Sequence, residues 1–169
     1  MNLIASADDN WGIGNGPNLL CRLKPDMMRF KRLTQGGAVI MGRKTFMSLP
    51  NQKPLPNRVN IVLSRDSGLA IEGATVVNTA GQLIEELGRL SGLTPWVIGG
   101  AEIYKLLMPM CGRAYITRIH GSFEADAYLC DLDALGWSVE ERSDVMEYGG
   151  YRFEYITYIN TAIGGSENG

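Results

Sequence analysis

The chain has 169 residues, 45% of them hydrophobic, which is enough for one domain with a complete core and little more. Charged residues make up 20% and the net charge is −2, so the basic surplus of a nucleic-acid-binding or polybasic membrane protein is missing. Its partners are expected to be small molecules, with no nucleic acid and no membrane.

The first segment, Met1 to Asp9, lacks the basic flank and long apolar stretch of a signal peptide, and no later run is long enough to cross a bilayer. Asn2 to Ala7 reads instead as a strand, and the protein is expected in the cytoplasm. Gly12-Ile13-Gly14-Asn15-Gly16 is followed by Pro17, so no helix opens where a Rossmann fingerprint needs one, and the stretch reads as a mobile loop. Cys21, Cys111 and Cys130 are odd in number and widely spaced, which favours reduced thiols. The single histidine, His120, makes a zinc site improbable, so no metal is expected; it reads as a strand or turn residue.

A helix is predicted to begin near Asp26, with Met27, Phe30 and Leu33 turned inward. An Asp after Pro at a helix start is commonly an N-cap, and that is the simpler reading of Asp26. The alternative is a buried carboxylate that pairs with a cationic or amidine-like ligand, the one clear acid candidate beside the glycine-rich loop.

Ala38 to Met41, Val59 to Leu63, Thr75 to Val77 and Pro95 to Ile98 are further strands, separated by helices starting near Lys44, Ala80 and Ala101. Strands alternating with helices indicate an α/β fold with a mostly parallel sheet. The helix from Ala80 aligns Leu83, Leu87 and Leu90 on one face, which should cover the sheet. After Cys111 the pattern turns to β: Arg113 to Ile119, Trp137 to Arg142 and Tyr151 to Ile159. Gly149-Gly150 supplies a turn that should join the last two as an antiparallel pair at one sheet edge. Residues 1–162 read as one domain and 163–169 as a disordered tail, since Gly164 to Gly169 has no apolar anchor.

Ligands of open parallel sheets bind at the carboxyl ends of the strands. Three such ends carry matching chemistry: Gly42-Arg43-Lys44-Thr45, Ser64-Arg65 and Gly99-Gly100. Glycines allow close backbone approach, and helix N-termini with cations and hydroxyls favour phosphate. A ligand with more than one phosphate fits, and Arg65 and Ser64 favour NADPH over NADH. Asp66 argues mildly the other way, and each cation taken singly could equally be a solvated surface charge.

The ordered set Ile13-Gly14, Leu23 followed by Asp26, Phe30, Val39-Ile40-Met41-Gly42-Arg43-Lys44-Thr45-Phe46, Pro54-Leu55-Pro56-Asn57-Arg58, Val97-Ile98-Gly99-Gly100 and Thr117-Arg118-Ile119 resembles the dihydrofolate reductase family, from about Leu3 to Ile159. The resemblance implies a single-domain α/β fold with an antiparallel C-terminal edge hairpin and helices on both faces. It also implies reduction of 7,8-dihydrofolate to tetrahydrofolate by NADPH, with hydride delivered to pterin C6 and protonation at N5 promoted by Asp26. Leu19, Tyr104 and Thr117 would assist; Ile4, Met27, Phe30, Lys31, Leu49 and Ile98 would line the substrate, and Arg58 would take its glutamate carboxylate.

On the same resemblance, Ser6, Ile13, Gly14, Asn18 and Leu19 would border the nicotinamide end. Gly42, Arg43, Lys44, Thr45, Leu63, Ser64 and Arg65 would hold the phosphates and adenosine, Gly99, Gly100, Ala101, Glu102 and Ile103 would close over the pyrophosphate, Tyr104 would lie close to the nicotinamide, and Ile98 would touch the cofactor as well. A cis Gly99-Gly100 peptide, a monomer, and inhibition by antifolates such as trimethoprim or methotrexate are implied as well. Two positions depart from the family's pattern. Cys21 stands where a Trp is usual, and Ala127 stands where a Thr often follows the loop aspartate matched by Asp126. A pyrimidine reductase of riboflavin synthesis and a non-catalytic folate- or NADPH-binding protein are the rival readings; Asp26 and Arg58 favour folate.

Overall fold

The computed structural model describes residues 1–164. Nine strands form one sheet, and its continuous part is ordered β10-β11-β7-β1-β6-β3-β4-β5. The strands are β1 (Asn2–Ala7), β3 (Ala38–Gly42), β4 (Val59–Leu63), β5 (Thr75–Val77), β6 (Pro95–Gly99), β7 (Arg113–Ile119), β9 (Ser138–Arg142), β10 (Met146–Tyr148) and β11 (Tyr151–Ile159). From β7 to β5 every pairing is parallel, while β11 runs antiparallel to β7 and carries both β9 and β10 on its other side.

The first four residues of β3 and the last four of β4 are all buried, as expected where helices cover both faces of a parallel sheet. Leu3, Ile40, Ile61, Val97, Ile116 and Ile156 point to one face, where α3 (Ala80–Arg89) and α4 (Ala101–Leu107) bring Leu83 and Leu107. On the opposite face Ile4, Val39, Met41, Val62 and Trp96 meet Phe30 and Leu33 of α1 (Lys24–Thr34) and Phe46 of α2 (Arg43–Met47). Successive strand residues therefore sort to different layers. The Leu83, Leu87, Leu90 stripe packs on the first layer as the sequence predicts.

Several sequence expectations are corrected. α1 starts at Lys24, because Pro25 is tolerated in a first turn, and its N-cap is Leu23, so Asp26 caps nothing. Met27 is 55% exposed rather than inward, while Phe30 and Leu33 are half-buried as predicted. Gly149-Gly150 joins β10 to β11, not β9 to β11; the three-residue β10 completes the hairpin and β9 pairs farther along the same strand.

The Gly12 to Gly16 stretch is also not a free loop. Its first part is β2 (Gly12–Gly14), paired antiparallel with β8 (Ala127–Tyr128). Asp8, almost wholly buried, accepts the N–H groups of Asn10, Gly12 and Phe123, and a Cβ at Gly12 would stand 2.8 Å from that of Ala125. Glycine is required there by close approach. Asp126 accepts from Gly16 N–H at 2.9 Å, so the two loops are joined although Ala127 offers no hydroxyl. Of the expected tail, Ile163 and Gly164 end a short helix, α5 (Thr161–Gly164), and 165–169 lie outside the described residues.

Candidate active site

The register of β1 on β7 sets Ser6 opposite Thr117, and both side chains rise toward α1. There they meet Asp26. Ser6 Oγ donates to Oδ2 at 2.5 Å, and the hydroxyl of Thr117 donates to Oδ1. One carboxylate is thus gripped at both oxygens from two adjacent strands, in a partly buried position. Hydroxyl donors at an ionised carboxylate make charge-assisted bonds and fix the plane of the group. Ser6, expected at the nicotinamide end, has its hydroxyl on the acid instead.

Tyr104 is buried, and its hydroxyl donates to Ile4 O at 2.7 Å, tying α4 to β1 beneath the same strand ends. Burial, and then the nearby Asp26 charge, push its phenol above the ordinary tyrosine range, so it stays a neutral donor. Phe30, Leu49 and Ile98 gather around Ile4 in one apolar wall. Met27 and Lys31 lie exposed on α1, and Leu19 is 55% exposed on the loop before it. Arg58 is held in place: Nε donates to Pro56 O at 2.9 Å and Nη1 to Thr34 Oγ1 at 3.1 Å. Among the described residues nothing else pairs with its planar fork, whose geometry suits a carboxylate.

The second cluster is built largely of backbone. Gly42 ends β3 beside Leu63 of β4, and Ser64 follows, buried. Gly99-Gly100, at the end of β6, is a cis peptide, as the resemblance implies. A Cβ at Gly42 would lie 3.0 Å from Ile103, one at Gly100 would lie 3.4 Å from Thr45 Oγ1, and one at Gly99 would lie 3.0 Å from the Tyr104 ring. Two strand ends, those of β3 and β6, therefore come close at glycines, with the end of β4 beside Gly42. Neither Gly42 nor Gly100, the N-caps of α2 and α4, provides a side-chain cap, so the first-turn N–H groups of both helices stay open to a ligand. Arg43, Lys44 and Arg65 are exposed, and among the described residues none has an ion-pair partner. Asp66, which argues mildly against a 2′-phosphate, accepts Gly68 N–H at 2.9 Å through one of its carboxylate oxygens.

The chain matches the family model described as dihydrofolate reductase over residues 1–160. This chain belongs to the dihydrofolate reductase family. The Bacillus subtilis dihydrofolate reductase is 37% identical over 94% of this chain and 93% of that protein, and the enzyme of Neisseria meningitidis serogroup B is 38% identical over 94% and 97%. Among solved structures, the dihydrofolate reductase of Enterococcus faecalis, complexed with NADP(H) and RAB-propyl, superposes with a TM-score of 0.83. It is 27% identical and 95% of each chain is covered. The family's reaction is reduction of dihydrofolate with NADPH as cofactor, and antifolates bind its members.

At Cys21, where the family usually has Trp, the thiol is buried against Leu23, Ile119 and Phe153, and burial pushes it upward. Asn78 was missed by the sequence reading. It follows β5, and its Nδ2 donates to Ser64 O at 2.8 Å and Asp66 O at 3.2 Å, bracing the turn after β4. The strand-end rule that found Ser64 would have found it had it been applied to β5. His120 follows β7, three residues beyond Thr117, and its Nε2 stands 3.4 Å from Glu154.

Proposed function

We propose that this chain reduces 7,8-dihydrofolate with Asp26 as the group that holds the pterin edge and favours protonation at N5. The observation that carries the reading is the grip of Ser6 and Thr117 on both Asp26 oxygens. A carboxylate so fixed accepts N–H donors in one plane, and it is the acidic side chain set at the carboxyl ends of β1 and β7. Thr117 and Ser6 position it. Ile4, Phe30, Leu49 and Ile98 wall the ring system, Met27 and Lys31 border its outer side, and Arg58 takes the terminal carboxylate of the substrate as a bidentate pair.

NADPH supplies the hydride. Its fit is supported by the glycine cradle and by the donor set around it: Gly42, Gly99, Gly100, Thr45, Ser64, and the cations Arg43, Lys44 and Arg65. Leu63, Ala101, Glu102, Ile103 and Asn78 shape this cradle, and Ile13, Gly14, Asn18 and Leu19 border the end nearest the acid. Tyr104 ties α4 to β1 beneath it. We also propose a monomeric, cytoplasmic enzyme sensitive to trimethoprim or methotrexate. The decisive test is loss of NADPH absorbance on adding dihydrofolate, by the native chain and by Asp26→Asn. The native protein should turn over and the variant should not at neutral pH. Equal turnover by both would overturn the role of Asp26.

A further inference from the structure

The side of α1 turned away from the substrate wall borders a second cavity, of about 260 Å³, between the helix and the antiparallel edge of the sheet. Arg29, Arg32 and Leu33 line it from α1; Tyr115 lines it from β7, Tyr155 and Thr157 from β11, and Glu141 from β9. The Arg29 guanidinium lies 4.2 Å above the centre of the Tyr155 ring and 5.9 Å from that of Tyr115. Its Nη1 is shut off from solvent and has no hydrogen-bond acceptor among the described residues. A buried guanidinium N–H without an acceptor is costly and calls for an anionic partner.

The charges around the cavity do not balance. Neither Arg29 nor Arg32 has a carboxylate within ion-pair distance among the described residues, and Glu141 is likewise unpaired. Two guanidiniums against one carboxylate leave a surplus of one positive charge. Burial draws the Arg29 guanidinium below its ordinary value, with Asp26 one turn back offsetting this in part.

We propose that this cavity binds a small aromatic monocarboxylate through Arg29 and Arg32, at a site separate from the substrate cleft. The planar forks of two arginines match a carboxylate, and the surplus of one charge matches a monoanion better than a phosphate near −2. The tyrosine rings and Leu33 offer flat apolar walls for the ring that carries it. The volume lies below the roughly 300–1,000 Å³ of pockets for drug-sized ligands, which places the ligand in the size class of benzoate.

Calorimetric titration of benzoate into the NADPH-bound protein, with acetate and inorganic phosphate as controls, tests this. Saturable one-to-one binding of benzoate is expected, with phosphate at least about tenfold weaker. Arg32→Gln, an exposed position that should leave folding and turnover intact, should weaken benzoate about tenfold or more, the loss expected for one charged hydrogen bond. Arg29→Gln should abolish binding. Arg58→Gln, which removes the cleft's own carboxylate partner, should leave benzoate binding unchanged, so a failure of the cleft reading is distinguishable from a failure here. Absence of saturable binding, insensitivity to Arg32→Gln, loss on Arg58→Gln, or phosphate binding as tightly as benzoate would each overturn the proposal.

Discussion

The two halves of the active site are made of different material. The cofactor cradle is a meeting of strand ends, in which Gly42, Gly99 and Gly100 bring backbone close and the exposed cations stand around the rim. The acid site is one side chain, Asp26, held by two hydroxyls from paired strands. A cradle of backbone tolerates the loss of a side chain but not the addition of one. A single-carboxylate site has the opposite sensitivity.

The contrast is put at greatest risk by Asp26→Asn. We expect kcat/KM to fall about 10²–10⁴-fold at pH 7, the range for losing a general acid–base group. The deficit should shrink at low pH, where the substrate arrives already protonated, and a pH profile of both enzymes checks this. Next comes Gly99→Ala. Gly99 sits at φ 115, and the added Cβ would meet the Tyr104 ring at 3.0 Å. Left-handed strain of about 1–3 kcal/mol should weaken NADPH tenfold or more, read by fluorescence titration.

Smaller effects follow at the substrate end. Arg58→Lys should raise KM for dihydrofolate about tenfold with kcat little changed, because a point charge replaces a bidentate fork already fixed by Thr34 and Pro56. Thr117→Val removes one hydroxyl from a charged acceptor while Ser6 still holds the other oxygen, so a loss of about tenfold in kcat/KM is expected by steady-state assay. Arg65→Gln should cost least, a few-fold in KM for NADPH with a shallower salt dependence, since the group is exposed and screened. If Arg65→Gln proved worse than Gly99→Ala, the cradle would be held by charge and not by backbone.

The parallel half of the fold was legible because its strands are short, largely apolar runs rich in β-branched residues. Val59–Leu63 and Thr75–Val77 were read at their observed bounds. Pairings that depend on distant partners were not legible. Gly12–Gly14 has no apolar alternation, and what makes it a strand is a two-residue partner more than a hundred positions away. The role of Asp26 was hidden for the same reason: local sequence favours an N-cap, and only the pairing of β1 with β7 brings Ser6 and Thr117 to its oxygens. Asp66 shows the converse, a carboxylate whose reading needed its own turn to be seen.

The bond from Arg58 to Thr34 also turns α1 into a ruler. Asp26 sits in the helix's first turn and Thr34 at its last residue, so in the proposed reading the acid and the anchor of the substrate's tail are separated by eight residues of one rigid rod, about 12 Å along its axis. Ligand length is thereby checked in the same act as ligand chemistry. A pterin without the tail engages one end of the rod only, and lengthening or kinking α1 would retune which molecules reach both.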